Sequence, residues 1–291
     1  MEKQIGEIRS GSGDILLKMF DVTTSFHIRP VSKHRHTQFE IAYVVSGAGT
    51  YCVGNTTYPM EAGDIFVFSS NEFHYITQVT SAPLKLLTLH FEPCYLFGSS
   101  FDSLSSRCIN LCFAHSDSFR NRIPAAEAES LRNTIFQIKE ELCSEAQESA
   151  LLVKSYLNIF LVTLIRDHDF VGQSRSFKRK NVHVIRNAVD YINIHLAEPI
   201  TLSDIAEAVH ISPSYLSSLF KDFFQVSLWS YIISKRIERA ILLLMDKNNQ
   251  YTILEIALQC GFNNTTNFNR AFRKHTGLTP SEYRDSPPQQ L

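Results

Sequence analysis

The sequence predicts an α+β protein: an N-terminal β-barrel with flanking helices, followed by an all-α C-terminal domain of two helix-turn-helix motifs joined by a long helix. Three observations carry this. Short β-branched and aromatic runs fill residues 37 to 91, the composition turns helical after about residue 124, and the last hundred residues contain an internal repeat.

The strand runs are FEIAYVVSG, GTYCVG, TTYPM, GDIFVFS, HYITQV and LKLLTLHF. Gly47, Gly49, Gly54, Asn55 and the pair Gly63 and Asp64 fall between them, where hairpin turns need residues tolerant of positive φ. Closing such strands into a barrel or jelly roll removes exposed edges and encloses an interior. In the following AAEAESLRNTIFQIKEELCSEA, Leu131, Ile135, Ile138 and Leu142 recur every three or four residues and give one apolar face. ESALLVKSYLNIFLVTLIRDH is apolar around much of its circumference, so burial on two sides is expected, either within one domain or against a second subunit. The polar, aperiodic stretch that follows places a linker at 169–181, between a domain at 1–168 and another at 182–291.

With 291 residues, 44% of them hydrophobic and 20% charged, the chain has room for two cores. Glu2, Lys3, Glu7, Arg9 and Asp14 leave no apolar leader near the start, and no later stretch reads as membrane-spanning, so a cytoplasmic location without membrane association is expected. Six cysteines without CxxC spacing suit reduced thiols. The formal net charge is −1, but it is unevenly shared: residues 1–174 hold 14 Lys+Arg against 19 Asp+Glu, and residues 175–291 hold 14 against 10. A basic surplus in the second part is the footprint of a phosphate-binding module.

The repeat appears when TLSDIAEAVHISPSYLSSLFKDFFQVS is laid over TILEIALQCGFNNTTNFNRAFRKHTGLT. Thr201, Ile205 and Ala206 fall on Thr252, Ile256 and Ala257, and Leu216, Phe220 and Tyr231 fall on Phe268, Phe272 and Tyr283. Each copy is a short helix with Ile-Ala, a tight turn and a second helix, which are helix-turn-helix proportions. The small Ala lets the two helices approach closely. Gly261 supplies the turn in copy two, while His210 stands there in copy one and must accept a less favourable backbone. Thr201 with Asp204 and Thr252 with Glu255 mark helix starts as capping boxes, and Pro213 and Pro280 sit where a helix begins. Between the copies, SLWSYIISKRIERAILLLMDK makes a breaker-free helix of about 30 Å, a length that holds two recognition helices in major grooves about 34 Å apart.

Lys235, Arg236, Ile237, Ala240, Leu243, Leu244, Ile253, Ile256, Ala257, Gly261, Phe262, Phe268, Arg270, Phe272, Gly277, Pro280, Tyr283 and Arg284 resemble the C-terminal signature of the AraC/XylS family of transcription regulators. Gln225 departs from it, because the family has Gly there, as Gly277 in copy two. The resemblance implies a sequence-specific regulator that binds double-stranded operator DNA as a homodimer, an activator with RNA polymerase as a further partner, and no enzymatic activity. It also implies which second-helix positions face the groove: Ser214, Ser217 and Ser218 in copy one, Thr265, Thr266, Asn269 and Arg270 in copy two. Arg pairs bidentately with guanine and Asn with adenine, whereas Ser discriminates weakly, so copy two is better equipped for base readout. Lys221, Arg273 and Lys274 are assigned to phosphate.

His34, His36, Glu40 and His74 resemble the HxH, E, H ligand pattern of cupins, and residues two apart on a strand share a side. Such a set suits a metal, and a metal-dependent cupin enzyme with an appended DNA-binding domain is the alternative function. Sensor domains of this family carry a similar pattern without catalytic metal, so the four are expected to bind a small polar effector such as a sugar, with no cofactor. His90 can join that pocket or lie outside it.

Overall fold

Strands β3 (Phe39–Val53) and β6 (His74–Phe91) pair antiparallel along most of their length and form the spine of the N-terminal sheet. The computed structural model describes residues 2–9, 15–24, 35–96, 112, 119–144, 146–170, 179–224, 226–246 and 250–285. Among these, the sheet runs β1 (Glu2–Arg9), β2 (Ile15–Thr24), β6, β3, β5 (Ile65–Phe68) and β7 (Arg122–Ile123), with β4 (Thr56–Glu61) on the far half of β3.

The sequence predicts strands only from Thr37 onward, whereas β1 and β2 lie before it. EKQIGEIR has little β-branched or aromatic character, and its strand conformation rests on pairing with β2, itself paired to β6 from Leu17 opposite Phe91 to Thr24 opposite Leu84. The runs FEIAYVVSG and GTYCVG merge into the single strand β3. Gly47 absorbs the irregular step at φ +88°, where a Cβ would lie 2.7 Å from the Leu84 Cα.

Alternation along the strands builds one core. Ala42, Val44, Tyr51 and Val53 of β3 meet Phe20 and Val22 of β2, Met60 of β4, Phe66 and Phe68 of β5, and Ile76, Val79, Leu84 and Leu86 of β6. Ile41, Val67, Leu87 and Leu89, on the opposite parity, are also buried, as expected of strands covered on both faces. Helix α1 (Glu129–Cys143) packs on β1 and on α2 (Ser149–Asp167) through the predicted stripe Leu131, Ile135 and Ile138. Contrary to the sequence expectation, α2 is long and apolar enough to cross a membrane by length and composition alone. It buries Val153, Leu157, Phe160, Leu161 and Leu164 inside the protein, and leaves Leu151, Leu152 and Ile159 exposed.

The chain divides into two compact units. One comprises Met1–Val31, Gln38–Arg179 and Gln290–Leu291, and the other Ser32–Thr37 and Lys180–Gln289. In the second, α3 (Arg179–Ile194) precedes copy one, α4 (Leu202–Ala208) and α5 (Pro213–Phe224). Helix α6 (Leu228–Met245) then leads to copy two, α7 (Ile253–Gln259) and α8 (Thr265–Thr276), and α9 (Pro280–Asp285) follows. At 18 residues α6 is about 27 Å long.

Both capping boxes are formed, Thr201 with Asp204 and Thr252 with Glu255. The copies also match in their cores. Phe220 meets Tyr231 edge-on at 5.3 Å between ring centroids, and Phe272 meets Tyr283 in the same way at 5.4 Å. Their turns share one bonding pattern: Ile211 N–H donates to the Ala206 carbonyl at 3.0 Å, and Phe262 N–H to that of Ala257 at 2.9 Å.

Candidate nucleic-acid interface and sensor cluster

Helices α5 and α8 bury Leu216 and Phe220, and Phe268 and Phe272, which turns their other faces outward. Ser214, Ser217, Ser218 and Lys221 are exposed on α5, and Thr266, Asn269, Arg270, Arg273 and Lys274 on α8, with Thr265 half-buried. Asn264 caps α8 by accepting the Asn267 N–H at 2.8 Å, and Gly277 closes the helix at φ +79°. Arg270 Nη2 donates to the Asn267 side-chain oxygen at 3.3 Å, which orients the guanidinium and adds Asn267 to the face. Gln225, where copy one departs from the family pattern, lies outside the described residues.

The two turns differ as the sequence predicts. Gly261 has φ +82° and His210 φ +55°, so a non-glycine residue bears a left-handed backbone in copy one. Gly261 serves a second purpose: a Cβ there would fall 2.7 Å from the Leu196 carbonyl oxygen and 2.8 Å from the Arg236 guanidinium. Arg236, 5% exposed on α6, donates from Nε to the Leu196 carbonyl at 2.9 Å and from Nη2 to the Glu198 carbonyl at 2.7 Å. It therefore joins the chain entering copy one to the turn of copy two.

In the first unit, Glu40, His74 and His90 lie on the inward parity of β3 and β6, with Glu40 directly opposite His90. His74 Nδ1 lies 2.9 Å from the Glu72 carbonyl oxygen and Nε2 lies 2.9 Å from Glu40 Oε2, so both ring nitrogens face oxygen atoms, an arrangement that favours the protonated ring. His90 Nε2 stands 3.1 Å from the same Glu40 oxygen. Phe68 stacks on His74 at 4.1 Å, and Phe20 meets His90 edge-on at 5.0 Å. Burial would lower the His74 pKa, but the Glu40 carboxylate, the bond to it and the Glu72 carbonyl hold it above the ordinary value. Burial and the same carboxylate push the Tyr51 hydroxyl well up.

Of the four residues predicted for an effector, Glu40 and His74 are thus bonded to each other. His34 lies outside the described residues. His36 belongs to the segment Ser32–Thr37 and is described with the second unit. His90 joins the cluster, and Tyr51 comes under the electrostatic influence of Glu40; the strand register that brings His90 opposite Glu40 is the signal that sequence alone lacks.

Comparison with known proteins accounts for both regions. Residues 205–286 match the helix-turn-helix domain family, and residues 26–90 match the cupin domain family. The chain is 25% identical over 257 residues to the HTH-type transcriptional regulator YdiP of Escherichia coli K12, covering 86% of this chain and 80% of the relative. The chain thus combines a helix-turn-helix domain of the AraC type with a cupin domain, and its relatives are HTH-type transcriptional regulators. The melibiose operon regulatory protein of Escherichia coli K12 is 25% identical over 269 residues, 89% of this chain and 84% of its own length. The fold of ToxT from Vibrio cholerae superimposes with a TM-score of 0.60 at 17% identity, over 93% of this chain and 98% of that one. The chain therefore joins a helix-turn-helix domain to a cupin domain, and Glu40, His74 and His90 all fall within the cupin match.

Proposed function

We propose that this regulator binds a small polar effector at the inward cluster of Glu40, His74 and His90, acts as a dimer in the cytoplasm, and activates transcription by contact with RNA polymerase at an operator read chiefly by α8. The observation that carries the effector reading is a carboxylate and two imidazoles on the inward face of a sheet whose other inward residues are mostly apolar. Polar groups at such a place orient a ligand, and a hydroxyl-rich molecule supplies both donors and acceptors to them. A sugar is the class we favour. The names of the melibiose operon and Msm operon regulatory proteins, the latter 24% identical over 250 residues, point the same way.

The test is a thermal-shift screen of mono- and disaccharides on the full chain, because a ligand of the native state raises apparent stability by RT ln(1 + [L]/Kd). A sugar that raises Tm in the parent and not in Glu40→Gln is the expected result. Equal shifts in both would remove the cluster from the effector site. Two structures of ToxT are described with an unsaturated fatty acid and with a naphthalenyl butenoic acid bound, so the same screen includes carboxylates with apolar bodies. A response to these alone would replace the sugar reading.

Dimerisation is supported by the exposed Leu151, Leu152 and Ile159 of α2, an apolar face on a helix already buried on its other side. Ile159→Glu is expected to halve the mass measured by light scattering, and an unchanged mass would place the dimer contact elsewhere.

A further inference from the structure

Because the unit is repeated, each recognition helix serves as a control for the other. With Leu216 on Phe268 and Phe220 on Phe272, the pair Tyr215 and Ser218 of α5 falls on Asn267 and Arg270 of α8. Residues three apart are neighbours on a helix surface. In copy two the first of the pair is short and the second long, and Arg270 Nη2 donates to the Asn267 side-chain oxygen at 3.3 Å. Copy one reverses the lengths. Ser218 is short and exposed, and Tyr215 is a long side chain left 46% exposed on a helix that buries Phe220, Phe223 and Phe224.

Tyr215 is tethered at both ends. Its backbone N–H donates to Ser212 Oγ at 3.3 Å, at the start of α5, and its hydroxyl donates to Asn181 Oδ1 at 3.1 Å, on the first turn of α3. The hydroxyl proton is thereby committed within the protein, and what the residue offers outward is its ring. A tethered ring supplies apolar contact area at little cost in side-chain entropy.

We propose that Tyr215 is the specificity-determining residue of copy one, its ring meeting the C5-methyl group of a thymine. This rests on the reading of α5 as a recognition helix, which lies in the major groove of the DNA it binds. Thymine alone among the bases carries an apolar group on its major-groove edge, and apolar side chains recognise it by contact with that methyl. Guanine, adenine and cytosine are told apart there by hydrogen bonds, which a ring whose hydroxyl is bonded to Asn181 does not supply. The two copies thus apply different chemistry at neighbouring positions of equivalent helices, hydrogen bonding by Arg270 and apolar contact by Tyr215.

The probe is a duplex library with a random core of about 30 base pairs, room for two half-sites one helical turn apart, selected by the full chain and sequenced. Positions whose preference is lost in Arg270→Ala mark the half-site of copy two. In the other half-site, Tyr215→Ala and Tyr215→Asn are each expected to lose the preference for thymine at one position and keep the rest, with unchanged Tm. Tyr215→Phe and Asn181→Ala retain the ring and are expected to keep that preference. On the selected duplex, deoxyuridine in place of that thymine removes the methyl alone. It is expected to weaken binding by the parent protein about fourfold, the worth of one methyl group withdrawn from apolar contact. The same substitution should leave binding by Tyr215→Ala unchanged, because variant and deoxyuridine remove one contact. A thymine preference that survives in Tyr215→Ala, or a parent protein indifferent to deoxyuridine, overturns the proposal. Loss of the preference in Tyr215→Phe would assign recognition to the hydroxyl and overturn it too, and a lower Tm with every preference weakened would leave Tyr215 a structural role only. A parent protein that selects no common sequence overturns the reading of α5 and α8 themselves, and the proposal with it.

Discussion

Two residues set the local strain in the helix-turn-helix turns, and they make opposite predictions. Gly261→Ala places a methyl 2.7 Å from the Leu196 carbonyl oxygen at φ +82°, so it is expected to destabilise the second unit by about 2 kcal/mol or more in urea unfolding. His210→Gly relieves a left-handed non-glycine residue at φ +55° and is expected to stabilise the same unit by about 1 kcal/mol. In the first unit, the raised His74 pKa has a defined sign. Its contribution to stability is fully present below the unfolded-state value of 6.5 and is lost as pH rises through the folded value. The Tm of the sensor unit should therefore fall as pH is raised from about 6 to about 8, and Glu40→Gln should flatten that dependence. A Tm that rises over this interval in the parent protein would contradict the ion pair.

Among the elements, the repeated helix starts were the most legible. Thr201, Asp204, Thr252 and Glu255 act within three residues of one another, so their bonds follow from local sequence, and Thr201→Ala and Thr252→Ala are each expected to cost about 1 kcal/mol. A third start, marked in the sequence by Pro280, carries the same box: Thr279 and Glu282 exchange these bonds ahead of α9, at 3.3 Å and 2.8 Å. The strands were less legible. β1 and β2 owe their conformation to partners across the sheet, and the joining of two short runs into β3 depends on how Gly47 meets β6. Likewise Glu40 and His74 were singled out by their resemblance to the cupin ligand pattern, but His90 entered the cluster through register, and Thr37 reached α6 through a contact 201 residues away in sequence.

For the molecule as a regulator, the proposed function makes the two copies unequal readers within one scaffold. Copy two offers Asn269 and Arg270 on its exposed face, and copy one offers Ser214, Ser217 and Ser218. Arg270→Ala is expected to lose about 1 to 3 kcal/mol of discrimination at one base pair of a mapped operator, and Ser217→Ala much less. Equal losses would refute the asymmetry. Arg236 gives this inequality a geometric setting. By holding the Leu196 and Glu198 carbonyls while its guanidinium fills the space beside Gly261, it ties the segment before copy one to the turn of copy two, and the two copies are expected to resist swivelling separately. A reader of that kind behaves as a caliper: one base pair inserted between its half-sites turns the second out of phase by about 35°. The regulator should then tolerate changes of letter under copy one more readily than any change in the spacing between the two.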